Sequence, residues 1–220
     1  MNALFPPDGR VTLSQVDSDG SPIKKWLAPD INLKMNIICK TCNSGWMSKM
    51  ENELAKPAMV DLILGNRIGS FSVKRAHGLS LFAFKTAVIS NYSLPQSEWF
   101  FTDAERHAFR QSFRIPRDVS MYIFGMENVL GGQIRSFNVK HKPNLSLNVC
   151  TFCIGQLGFQ VVSAKGSIQP QKFESIPTES GLTTCFYPTI ADRFSWPRKK
   201  VLGIKAFHDF SLRWNAIRRH

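Results

Sequence analysis

The sequence predicts an α+β fold, and three observations predict it. Apolar residues recur at helical spacing through Met47, Met50, Leu54, Ala58 and Leu62, and again through the run 79–89. From Val119 onward the pattern changes to alternation, punctuated by Gly131-Gly132 and Gly155. The end of the chain returns to helical spacing at Ile204, Phe207, Phe210, Trp214 and Ile217. Helices first and strands afterwards, instead of a regular alternation of the two, define the α+β class.

Taken in order, residues 1–35 read as irregular, because Pro6, Pro7, Asp8, Gly9 and the stretch Asp17 to Pro22 are turn chemistry. Val11, Leu13 and Val16 allow one short strand there. A helix is expected from about Ser44 to Leu64, kinked or split by Pro57 and stopped by Gly65. A second is expected over His77 to Tyr92; it is apolar almost all round and so should be buried. Lys85 lies inside that run, and snorkelling is favoured over a carboxylate partner. Thr102-Asp103-Ala104-Glu105 is a capping box that opens a third helix, ended by Ile115-Pro116. Val119 to Ile123 should then pair with Ile134 to Val139 as a hairpin turning at Gly131-Gly132. Further strands are expected at Leu145 to Thr151, Leu157 to Val162 and Thr183 to Tyr187, and a basic amphipathic helix at Gly203 to Arg218.

The chain carries 28 Lys and Arg against 16 Asp and Glu, a net charge of +12, which attracts polyanions such as nucleic acid. About half of that excess lies after residue 197. Arg198, Lys199, Lys200, Lys205, Arg213, Arg218 and Arg219 stand there against Asp209 alone, and they are the candidate nucleic-acid contacts. At 43% hydrophobic and 20% charged, the 220 residues are neither disordered nor low-complexity. No run of about 18 apolar residues marks a membrane span, and the N-terminus has no signal-peptide pattern, so a cytoplasmic protein is expected.

Five cysteines, Cys39, Cys42, Cys150, Cys153 and Cys185, are an odd count that argues against a disulfide scaffold. Cys39 and Cys42 stand two residues apart just before a helix, where both thiolates can reach one tetrahedral zinc. That is half a site. Cys150 and Cys153 have the same spacing, but their segment alternates like a strand, which sends residues three apart to opposite faces. Core thiols are therefore favoured at both over the alternative, that they complete the zinc set with two further thiolates, and a lone buried thiol is expected at Cys185. Asp30 and Glu51 are more simply a loop anion and a first-turn helix acid than metal ligands. His77 lies beyond the motif, and His107, His141 and His208 read as surface or basic-loop residues. Trp46 and Met47 read as packing at the helix start.

The run Cys39-Lys40-Thr41-Cys42-Asn43-Ser44-Gly45-Trp46-Met47, followed by Ala55-Lys56-Pro57, resembles the closing part of a treble-clef HNH endonuclease module. It is similar to bacterial HNH-like proteins with a long C-terminal extension. Leu81-Phe82-Ala83-Phe84-Lys85, Ile154-Gly155-Gln156-Leu157-Gly158-Phe159-Gln160 and Trp196-Pro197 look like that extension. The resemblance implies an incomplete HNH-like module over 1–66 and an α+β extension over 67–220. It implies metal-dependent cleavage of DNA, with structural zinc at Cys39 and Cys42 and Mg2+ or another divalent ion held at Asn43. The family's module opens with a further C-x-x-C and a Glu-His pair that supplies the general base. No cysteine or histidine precedes Cys39 in this sequence. The expectation is a chain that begins inside the module, or a member that keeps binding without cleavage. The alternatives are a non-catalytic nucleic-acid-binding protein and a zinc-knuckle module that binds protein.

Overall fold

The computed structural model describes residues 11–16, 22–28, 38–66, 72–127, 132–140, 145–166, 182–188 and 196–214. The order is a hairpin, a helical region, a six-stranded sheet and a last helix, an α+β arrangement as the sequence predicts. Strands β1 (Val11–Val16) and β2 (Pro22–Ala28) pair antiparallel. The second of these was not expected, because the stretch Asp17 to Pro22 reads as turn chemistry and only one short strand was allowed there.

The first helical run begins at Cys39 and ends at Ile63. It comprises α1 (Lys40–Cys42), a wide π turn (Asn43–Met47), α2 (Ser48–Met50), a second π segment (Glu51–Ala55) and α3 (Lys56–Ile63). Pro57 does not split it. Proline has no N–H to donate and its ring presses on the carbonyl four residues back, and the wider turn over 51–55 absorbs both. Helix α4 (Val73–Asn91) starts four residues earlier than His77, because the Ser72 hydroxyl caps it by accepting from Arg75 N at 3.2 Å. Helix α5 (Asp103–Ser112) has the expected capping box at Thr102 and Glu105. Its end comes before Pro116, at Phe113, which adopts the left-handed conformation at φ 52° while its ring packs on Trp46 and Phe109.

The sheet corrects one expectation. Strands β3 (Val119–Met126), β4 (Gly132–Lys140), β5 (Leu145–Ile154), β6 (Leu157–Gly166) and β7 (Thr183–Tyr187) lie in the order β4-β5-β6-β3-β7. A short β8 (Val201–Leu202) joins β3 in parallel. So β3 and β4 are not hairpin partners: β4 pairs with β5, and β3 with β6. Every residue of β3 is buried, and a strand buried on both faces belongs in the sheet interior. Strand β4 keeps half-buried and exposed positions, which suits the rim, where the β1–β2 hairpin lies against it.

One face of the sheet packs on α3, α4 and α5 through Leu62, Leu81, Phe84, Phe109, Met121, Phe152 and Phe159. The other face is covered by α6 (Ile204–Leu212) through Phe207, Phe210 and Trp214. Ile204, expected on the apolar face of α6, is half exposed, and Ile217 lies outside the described residues. Across this second face runs a polar row in cross-strand register, Arg135, Thr151, Gln160, Tyr122 and Cys185. It divides two apolar clusters. Gln160 is its hub: its Nε2 donates to Thr151 Oγ1 at 2.9 Å, and its Oε1 accepts from Arg213 at 2.8 Å and Trp214 Nε1 at 2.9 Å. Among the described residues no helix is long and apolar enough to cross a membrane.

Candidate metal knuckle and basic face

Cys39 caps the first helical run, and its sulphur accepts the Cys42 N–H at 3.2 Å. Asn43 N donates to Cys39 O at 3.0 Å, so one turn gathers Cys39, Cys42 and Asn43 on the helix head. Cys39 and Asn43 are exposed and Cys42 is half-buried. The Cys42 thiol and N–H hold the Cys39 thiol below its ordinary value, and Arg110 on α5 adds its field. Cys42 moves the other way, raised by its bond to Cys39 and by burial. A dithiol so placed suits a soft divalent cation, and two thiolates make half of a tetrahedral zinc set. Among the described residues no group of three Cys, His, Asp or Glu stands together to complete it.

The turn is held by packing. Trp46 sets its ring 5.9 Å from Phe109 and 6.1 Å from Phe113, which clamps the helix head onto α5. Trp46 is thus packing, as expected. At the far end, Ile63 O accepts Gln156 N and Leu62 O accepts Trp196 Nε1, both at 3.1 Å. The head of the run is displayed to solvent and its foot is fixed to the β5–β6 turn.

Other candidates separate. Glu51 is no metal ligand: it pairs with Lys85. Lys85 therefore does not snorkel; its ammonium also lies 4.9 Å from the centre of the Phe82 ring. His77 and His107 are exposed, on α4 and α5. Asp30 and His141 lie outside the described residues, as do Arg218 and Arg219. Lys199, Lys200 and Lys205 are exposed, while Arg198 is half-buried over Gly125. Arg213 turns inward: it bonds Gln160, stacks 3.9 Å from the Phe210 ring centre, and burial pushes it down to about 10. An arginine so engaged is a latch for the end of α6 instead of a free phosphate contact.

Cys150 and Cys153 are buried in β5 on opposite faces, Cys150 among the residues under α4 and Cys153 among those under α6. Burial pushes Cys150 up to about 12 and Cys153 up to about 11, so both stay protonated and inert. Cys185 is half-buried, its thiol directed at Tyr187 O at 3.2 Å. In native protein, maleimide is expected to modify Cys39 first and Cys42 next. Cys150 and Cys153 should react only after denaturation, as read by peptide mass spectrometry. Rapid native labelling of either β5 thiol would contradict their placement.

Two features escaped the sequence reading. Arg110 beside the knuckle lies 68 positions from Cys42, on another helix. Arg135 and His208 meet between β4 and α6. The only available signal for the second was a basic residue at an inward position of a strand. The chain matches no protein-family model, no curated protein and no solved structure.

Proposed function

We propose that the protein binds DNA and is of HNH-type ancestry, with Cys39 and Cys42 supplying half of a treble-clef zinc knuckle. The observation that carries this reading is the exposed Cys39–Asn43 turn on the head of a helix anchored at both ends. The order of hairpin and then helix, β1, β2 and the run from Lys40, is that of a ββα-metal element. Lys199, Lys200 and Lys205 offer exposed charge for phosphate contacts, as do Arg218 and Arg219 in the sequence.

Elemental analysis of the purified chain tests the knuckle. Zinc should be present and should be lost when Cys39 and Cys42 are both changed to Ser. DNA affinity should fall steeply with salt, because basic contacts release counterions. Changing Lys199, Lys200 and Lys205 to Glu should weaken it at least about tenfold at low salt. Zinc-free protein, or binding indifferent to salt and to those lysines, would sink the reading. Cleavage is a second reading, favoured by the exposed Asn43 beside the second cysteine. It predicts nicking of supercoiled plasmid in Mg2+ that EDTA and Asn43→Ala both stop.

A further inference from the structure

Cys39 and Cys42 touch, and they differ in access. Both the N–H and the thiol of Cys42 are turned to the Cys39 sulphur, the N–H at 3.2 Å. The bond from Asn43 N to Cys39 O closes the turn around them. In such a turn residues three apart stand about 5 Å from Cα to Cα, within the span that a disulfide bridges. Cys39 is exposed and Cys42 is half-buried, with the buried Trp46 Nε1 near its sulphur. Solvent therefore meets Cys39 first and Cys42 behind it. Two exposed cations accompany the pair: Lys40, between the cysteines, and Arg110, whose field reaches both sulphurs. Neither forms an ion pair among the described residues. The other C-x-x-C pair is built the opposite way, because Cys150 and Cys153 are buried on opposite faces of β5 and cannot close on each other.

We infer that Cys39 and Cys42 form a dithiol centre that exchanges with anionic disulfides of the glutathione type. The Cys39 sulphur attacks one sulphur of the disulfide, whose S–S bond breaks. The departing half leaves as a thiol with the proton that Cys39 gives up, and the other half stays on Cys39 as a mixed disulfide. The Cys42 sulphur then attacks the Cys39 sulphur. An S–S bond forms inside the turn, and the second half departs as a thiol with the Cys42 proton. An electron pair passes from the dithiol to the disulfide, so no further oxidant is needed. Glutathione disulfide carries net negative charge, which Arg110 and Lys40 draw towards the exposed sulphur. The inference does not depend on DNA binding or on zinc. A metal held by the pair would block the exchange, because both sulphurs would be occupied.

The test uses the reduced full chain with a chelator present throughout. Glutathione disulfide is added, samples are quenched with maleimide, and intact and peptide masses are read. The native chain should end with a closed Cys39–Cys42 disulfide and no bound glutathione, while Cys150 and Cys153 take up maleimide only after denaturation. Cys42→Ser should stop at the mixed disulfide on Cys39. Cys39→Ser should react at least about tenfold more slowly than Cys42→Ser, since its remaining thiol is half-buried. Arg110→Gln should slow the reaction of glutathione disulfide about threefold or more and leave that of cystamine, a cationic disulfide, no slower. A native chain that keeps glutathione on Cys39, equal rates in the two serine variants, or an Arg110→Gln effect that is the same for both disulfides would overturn the inference. A chain found without zinc that still closes this disulfide would retire the zinc knuckle and leave the dithiol centre standing. Failure to close it would leave the knuckle untouched.

Discussion

Replacing Glu51 with alanine is expected to cost about 3 kcal/mol of stability, a fall in Tm of roughly 6–12 °C for a chain of this size. Lys85 is 8% exposed in the middle of α4, and Glu51 is its one carboxylate among the described residues. Removing the acid leaves a mostly buried ammonium against the Phe82 ring with nothing to offset its lost hydration. Replacing the whole pair is a different matter. In the double variant Glu51→Ala, Lys85→Met, an apolar chain of similar length fills the space and no charge is stranded. Most of the lost stability should therefore return. Thermal melts of the two single variants and the double variant check this. If the losses simply add, the pair is a surface ion pair and the coupling argued here is wrong.

Gly78→Ala should be the second severe change, and its sign is the instructive part. Alanine is the better helix former by about 1 kcal/mol, so in an exposed helix this substitution would stabilise. Here α4 crosses the π segment at Gly78. A Cβ would stand 2.3 Å from Leu54 O and 2.9 Å from its carbonyl carbon. Both are backbone atoms in a run fixed at each end, so neither can retreat as a side-chain tip would. The helices must separate, with a net loss of about 2 kcal/mol or more. Gly203→Ala is the control, because its Cβ meets only the carboxylate end of Glu127, at 2.9 Å. A denaturant midpoint for Gly78→Ala equal to that of the control would refute the close crossing.

The two C-x-x-C pairs show what was legible and why. Identical spacing gives opposite outcomes, because a helical turn gathers residues three apart and a strand sends them to opposite faces. Once helix and strand were recognised from their periods, both outcomes followed, at Cys39–Cys42 and at Cys150–Cys153. Local signals were equally readable at the Thr102 capping box. What could not be read depends on residues far apart in the chain. Glu51 lies 34 positions from Lys85, and His208 lies 73 from Arg135. The Gly131-Gly132 pair where β4 begins signals a hairpin locally, yet the partners of β3 come from 157–163 and 183–187. Arg213 looked like one more basic residue of the tail. Gln160, on a strand 53 positions earlier, is what turns it inward.

The anchored run from Cys39 to Ile63 also sets a distance. At 1.5 Å per residue a straight helix of this length would span about 37 Å, and the non-helical Gly45 near its head shortens that to on the order of 30–35 Å. Trp196 is tied to its foot at Leu62, so Lys199 and Lys200 set out from the end opposite Cys39 and Asn43. That separation is close to the pitch of a B-form duplex, roughly 34 Å. A ligand that touched both the cysteine turn and these lysines would have to be at least about one helical turn long. A dinucleotide, or a duplex of a few base pairs, could occupy one end or the other but could never bridge them.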